Sequence, residues 1–203
     1  MFLNSIILFS SMKNTNKKES RIKKLILPLI LVFLMIGSIF TIFLSGSSNN
    51  LNEVTYNNLK FTKTDTGWIS YINNKQIVLI NNPNDLKNIQ IPNINLQDLN
   101  SAQKVYLSVN PNENIQQAYA LFNTDIKPLL RLNVINACTV DIQKCANLPL
   151  KTCTDASQLQ KVIILEESNS TKIEYNNNCL YISGNQEDLT KIIDKLTLNL
   201  LGV

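Results

Sequence analysis

Histidine is absent from the 203 residues. Its absence excludes Ser-His-Asp and Cys-His catalysis as usually built, most catalytic zinc sites, and the common copper and non-haem iron ligand sets. Glycine is scarce: five residues, none arranged as G-x-G-x-x-G or as a P-loop, which argues against nucleotide binding. No C-x-x-C occurs, and the four cysteines are spaced C-x6-C-x7-C-x25-C, without the close pairs that structural zinc sites use. Adjacent acidic residues are confined to Glu166-Glu167 and Glu187-Asp188. The first reads as a strand-to-strand turn and the second as a helix start, where the dipole favours anions. No catalytic, cofactor-binding or metal-ligating residue is assigned, and no cofactor is expected.

Charge is present but lopsided. The net +4 belongs to the N-terminal tail, where Lys13, Lys17, Lys18, Arg21, Lys23 and Lys24 face Glu19. After residue 44 the chain carries 13 basic and 14 acidic residues. A nucleic-acid surface needs clustered Lys/Arg on the folded part, so no nucleic-acid partner is expected.

What the sequence does have is one long apolar run, Leu25–Leu44, LILPLILVFLMIGSIFTIFL. Twenty uncharged residues in a helix reach about 30 Å, the thickness of a bilayer's hydrocarbon core. The division expected is a basic cytoplasmic tail, 1–24, a transmembrane helix, 25–44, a linker, 45–56, and an extracytoplasmic domain, 57–203. The basic flank places the N-terminus inside and the domain outside. An uncleaved signal-anchor is the reading taken. A cleaved signal peptide competes with it, because Ser45-Gly46-Ser47-Ser48 is small enough for cleavage, although signal apolar regions are shorter. The tail invites two readings as well: translation starting at Met12, which is the one preferred, or a short membrane-lying segment at residues 1–11.

Cys138, Cys145, Cys153 and Cys179 all follow the run, on the side where disulfides persist. Four cysteines admit three pairings. The one favoured is Cys138–Cys145, closing a local loop, with Cys153–Cys179 tying a helix start to a late strand. Asn169-Ser170-Thr171 is an N-glycosylation acceptor sequence in a polar turn, so Asn169 is a candidate modification site.

The domain reads as an α/β (α+β) unit. A β-meander comes first: strands near Asn58–Lys63, Trp68–Ile72 and Gln76–Ile80, separated by Asp65-Thr66-Gly67 and Asn73-Asn74. The sole tryptophan, Trp68, is assigned to core packing there. A helical turn near Asp85–Asn88 and an extended piece at Ile89–Ile91 are expected next. Strand Lys104–Val109 leads to a helix capped by Asn110 with Pro111 and Glu113, followed by strand Leu130–Ile135. The β-α-β order makes these strands parallel. Thr154 or Asp155 is expected to start a short helix. Val162–Leu165 reads as a buried strand, and residues 172–182 as one bent strand or two short ones. Asn185 caps a final helix with Leu189, Ile192, Ile193, Leu196 and Leu200 on one face.

The resulting β-α-β-(α)-β-β-α order resembles a thioredoxin-like fold with helices on both faces of a mixed sheet. Where such an enzyme carries C-x-x-C, this chain has Asn110-Pro111-Asn112-Glu113, so the likeness extends to scaffold and not to activity. The basic leader with a single span, GWISYINNKQ, CTVDIQKCANLPLKTCTDA and NNNCLYISGNQEDLTKIIDKLTLNLLG together resemble a group of small archaeal membrane-anchored proteins with no assigned activity. That resemblance implies an envelope setting compatible with disulfides, and it carries over no site residues. The function expected is a binding or structural module of the envelope with a protein partner. The alternatives are a thiol-redox or other envelope enzyme, or a pilin-like filament subunit. The last lacks a small residue between Arg21-Ile22-Lys23-Lys24 and the apolar run.

Overall fold

The computed structural model describes residues 52–203, together with Val32 and Phe33, which are helical. The Met12 start, the basic tail, the rest of the Leu25–Leu44 run and most of the 45–56 linker lie outside the described residues. Among the described residues, no helix is long and apolar enough to cross a membrane.

Paired asparagines make three of the turns. Asn57-Asn58, Asn73-Asn74 and Asn177-Asn178 all have positive φ, between 45° and 69°. A two-residue type I′ hairpin needs positive φ at both central positions, and asparagine accepts that conformation more readily than most side chains. The first pair joins β1 (Glu53–Tyr56) to β2 (Leu59–Thr64). The end of the segment read as linker is therefore a strand: Val54 and Tyr56 carry the alternation inward, and Asn57-Asn58 returns the chain. The second pair joins β3 (Gly67–Ile72) to β4 (Lys75–Leu79). These four strands form an antiparallel sheet in sequence order. Its inner face carries Tyr56, Phe61, Trp68, Ile77 and Leu79, all buried.

After β4 the chain makes a 3-10 turn, Pro83–Leu86, capped by Asn82, and no strand forms at Ile89–Ile91. A short helix not expected from the sequence follows: α1, Leu96–Asn100, whose Asp98 N–H donates to Asn95 Oδ1 at 2.8 Å.

The second sheet has five strands in the order β6-β5-β7-β9-β8. β5 (Lys104–Val109), β6 (Val134–Cys138), β7 (Gln160–Glu167) and β9 (Cys179–Gly184) are parallel, and β8 (Lys172–Asn176) runs antiparallel on the edge. The stretch read as one bent strand or two is thus two strands around the third asparagine pair. β7 is buried along most of its length, as its apolar run requires.

Three expectations fail here for physical reasons. The helix between β5 and β6, α2, starts at Gln116 and not at Asn110. Asn110 instead closes a tight turn: Oδ1 accepts from Asn112 N–H, and Nδ2 donates to Glu113 Oε1. Glu113 Oε2 then accepts from Glu167 N–H while Glu167 Oε2 accepts from Asn114 N–H, which fastens the turn to the end of β7. Nor do helices cover both faces. α2, continued by one π-helical turn at Phe122–Ile126, and the final helix α3 (Gln186–Leu200) lie on the same face, over Val105, Leu107, Ile163, Leu165, Leu180 and Ile182. The step from β6 to β7 crosses back past β5. A right-handed crossover in that direction must use the opposite face. Residues 139–159 make that crossing as irregular chain over Tyr106, Val162 and Ile164. Only a 3-10 turn forms at Cys153–Asp155: Thr152 and Asp155 make a capping box that starts it, but the chain is already extended at Ala156.

The crosslinks hold that irregular crossing. Cys138 is bonded to Cys145, and Cys153 to Cys179. The first fixes the exit from β6, and the second pins the loop to the first residue of β9.

Candidate functional site

The helix α3 serves both sheets. Leu189, Ile192, Ile193, Leu196 and Leu200 face the five-stranded sheet, and Leu198 packs into the meander core. Between these apolar stripes runs a buried polar one, Thr190, Asp194 and Thr197, at helical spacing. Thr190 and Thr197 donate to carbonyls of their own helix, of Glu187 and Ile193. Asp194 reaches across to Asn81, just beyond β4, and its Oδ2 accepts from that residue's backbone N–H and side-chain amide. Its other oxygen, Oδ1, is buried without a protein partner. Burial pushes the carboxyl up to about 6, the Asn81 hydrogen bonds oppose this, and the charge of Asp125 adds to the rise.

Asp125 sits in the π-helical turn. Its Oδ2 is also buried without a hydrogen-bond partner, and burial raises its pKa. A π turn inserts a residue into a helix and re-aims its neighbours. Here it brings Thr124 and Asp125 to the wall of a cleft of about 1200 Å³. The cleft lies between the β3–β4 hairpin and the helical layer, with Gln97 of α1 and Arg131 on the far side. Neither Asp125 nor Asp194 was marked by any motif. The visible signal for Asp194 is a charged residue inside the apolar pattern Ile192-Ile193-Asp194-Lys195-Leu196.

A second buried polar cluster ties α1 to the five-stranded sheet. Lys161 is 3% exposed on β7. It donates to Asp98 Oδ1 at 3.0 Å, to Tyr175 Oη at 3.2 Å and to Asn178 Oδ1 at 2.7 Å, which satisfies all three ammonium protons. Tyr175 in turn donates to Asp98 Oδ2. Burial works to raise Asp98, but the bonds from Tyr175 and Lys161 outweigh it and hold the carboxyl below its ordinary range. Tyr175 is pushed well above the usual phenol value by burial and by the Asp98 carboxylate. With every donor matched, this cluster is an internal fastening and offers nothing to a ligand.

The residues singled out from the sequence are dispersed. Asn169 is exposed in the turn between β7 and β8. Glu167 is engaged with Glu113 and Asn114, while Glu187 pairs with Lys191 and Asp188 accepts from Thr171. Trp68 is buried in the meander core. Cys138, Cys145 and Cys179 are buried, and Cys153 is exposed. None of them lines the cleft. Among the described residues, no three His, Cys, Asp or Glu side chains stand close enough to hold a metal ion. Comparison with protein-family models, with curated proteins and with solved structures returned no match.

Proposed function

We propose that the chain is a membrane-anchored binding module of the cell envelope. Residues 25–44 hold it in the bilayer with the basic tail inside, and the α+β domain works outside. The observation that carries this reading is the cysteine inventory. All four cysteines are joined in disulfides and none is free, a state that the cytosol does not maintain. The envelope setting implied by the archaeal resemblance belongs to the same proposal.

Binding is favoured over catalysis by the character of the cleft. It combines aliphatic walls with scattered amide, hydroxyl and charged groups, and Asp125 is the one acid among its lining residues. Thiol–disulfide exchange fits less well, because the reacting sulfur must be reached, and three of the four cysteines are buried. Alkaline carbonate washing of membranes, followed by alkylation before and after reduction, tests the reading. The chain is expected in the pellet, taking no label until it is reduced. Release into the supernatant, or labelling of native thiols, overturns it.

A further inference from the structure

β4 is an edge strand, and the cleft runs along that edge. The sheet order ends at β4, so only β3 pairs with it. Lys75, Gln76, Ile77 and Val78 all line the cleft. Alternate residues of a strand point to opposite faces of the sheet. Consecutive residues of both parities can share one cleft only if the cleft meets the strand along its edge.

The open hydrogen-bonding groups can be named. The Asn73-Asn74 turn has the positive φ values of type I′, in which the carbonyl of Ile72 accepts from the N–H of Lys75. Pairing alternates along an antiparallel ladder. Lys75, Ile77 and Leu79 therefore turn their backbone groups to β3, and Gln76 and Val78 turn theirs outward. No backbone bond from residues beyond the sheet reaches Gln76 or Val78 among the described residues. Proteins ordinarily blunt such an edge with proline, a bulge or a covering element. β4 has no proline. α1, the π turn and the end of α3 stand off from it across the cleft. At about 1200 Å³ the space exceeds the roughly 300–1000 Å³ of small-molecule sites. Two cations, Lys75 and Arg131, are exposed on its walls and form no ion pair among the described residues.

We propose that the cleft takes an extended peptide segment of a partner protein, added as a fifth strand along β4, with acidic side chains met by Lys75 and Arg131. This deepens the reading of the domain as a binding module and rests on it. Main-chain bonds to Gln76 and Val78 supply affinity, and the cleft walls select alternate side chains, as in strand-addition recognition generally.

The test titrates the full-length chain in detergent with a fluorescent, end-blocked heptapeptide of alternating valine and threonine with a central glutamate. Saturable binding is expected. N-methylating the probe's backbone amides is expected to weaken it at least tenfold, and replacing the glutamate by lysine several-fold. Val78→Pro removes an outward N–H that β3 does not use. It is expected to weaken binding tenfold with the near-UV dichroism of Trp68 unchanged. The N-methyl probe leaves the protein untouched, so that arm stands even if Val78→Pro unfolds the sheet. Three results overturn the proposal: equal binding of the N-methyl probe, no binding of any probe, or a photo-crosslinker at position 97 joining a second copy or residues 45–51 of the same chain. The membrane reading fails separately. A chain that stays in the carbonate pellet yet binds no peptide loses only the peptide proposal. A chain that binds the peptide but washes off the membrane loses only the anchor.

Discussion

Asn81 donates both its backbone N–H and its side-chain amide to one oxygen of Asp194, at 2.8 and 2.9 Å. Asn81 ends the meander and Asp194 belongs to the last helix, 113 residues later. This contact ties the end of the four-stranded sheet to α3, one helical turn before Thr197, which lines the cleft.

That contact has a pH signature. Asp194 ionises near 6 in the folded chain and near its ordinary value of 3.8 when unfolded. Between those values the folded chain holds a proton that the unfolded chain has released. Stability therefore falls as pH rises through this window, by roughly 3 kcal/mol. Asp125 is raised by burial and acts in the same direction. Asp98 has a depressed pKa, so its contribution is lost only as pH drops below the ordinary carboxylate range. With no histidine in the chain, no imidazole obscures the window. Urea unfolding from pH 4.5 to 7 is expected to show this decline. Asp194→Asn, which keeps an acceptor for Asn81, is expected to remove most of it.

Lys161 allows a sharper mutational contrast. Lys161→Ala leaves Asp98 and Tyr175 partly buried without their cation, and a loss of about 3 kcal/mol is expected. Lys161→Met fills the same space but also strands Asp98. Lys161→Met combined with Asp98→Asn removes both charges and is expected to recover more than half of that loss. Thermal unfolding of the single and double variants measures it.

The two disulfides close loops of different length, 7 and 26 residues apart in sequence. Chain-entropy arguments give about 2.4 kcal/mol for the shorter and about 3.5 kcal/mol for the longer. Paired serine substitutions at Cys153 and Cys179 are expected to cost more than those at Cys138 and Cys145. Denaturant midpoints report the order.

Among the described residues, two glycines have positive φ and unequal surroundings. A Cβ at Gly67, with φ +138°, would lie 2.4 Å from the carbonyl oxygen of Leu79. At Gly202, with φ +80°, it would meet nothing within 4 Å. Gly67→Ala is expected to lose at least about 2 kcal/mol, and Gly202→Ala no more than about 1 kcal/mol. Unfolding of the two variants under the same conditions decides between them.

Local features carried well from sequence to fold. Hairpin turns depend on neighbouring residues, so Asn73-Asn74 placed β3 and β4 within one residue of their observed ends. Asn185 capped α3, where Asp188 N–H donates to its side chain. Asn57-Asn58 carries the same signal, but the strand expected from Asn58 onward absorbs the turn and hides β1. The failures are cases of long-range competition. Asn110 has every local feature of a helix cap, yet Glu113 is drawn away to the N–H of Glu167, 54 residues on. The cleft is invisible in the sequence for the same reason, since its walls come from four separated segments and Asp125 belongs to no motif. Cysteine spacing favours disulfides over zinc, but does not reveal that a crosslinked loop takes the place of a helix.

The central claim, an outward-facing domain on an inward-anchored tail, is tested most directly by lysine labelling of intact cells. A membrane-impermeant amine reagent is applied, and labelled peptides of the chain are mapped by mass spectrometry. Exposed domain lysines such as Lys60, Lys75 and Lys87 are expected to be labelled, while Lys13, Lys17, Lys18, Lys23 and Lys24 stay unlabelled until the cells are opened. Labelling of the tail lysines in intact cells with the domain protected, or protection of both until lysis, would contradict it.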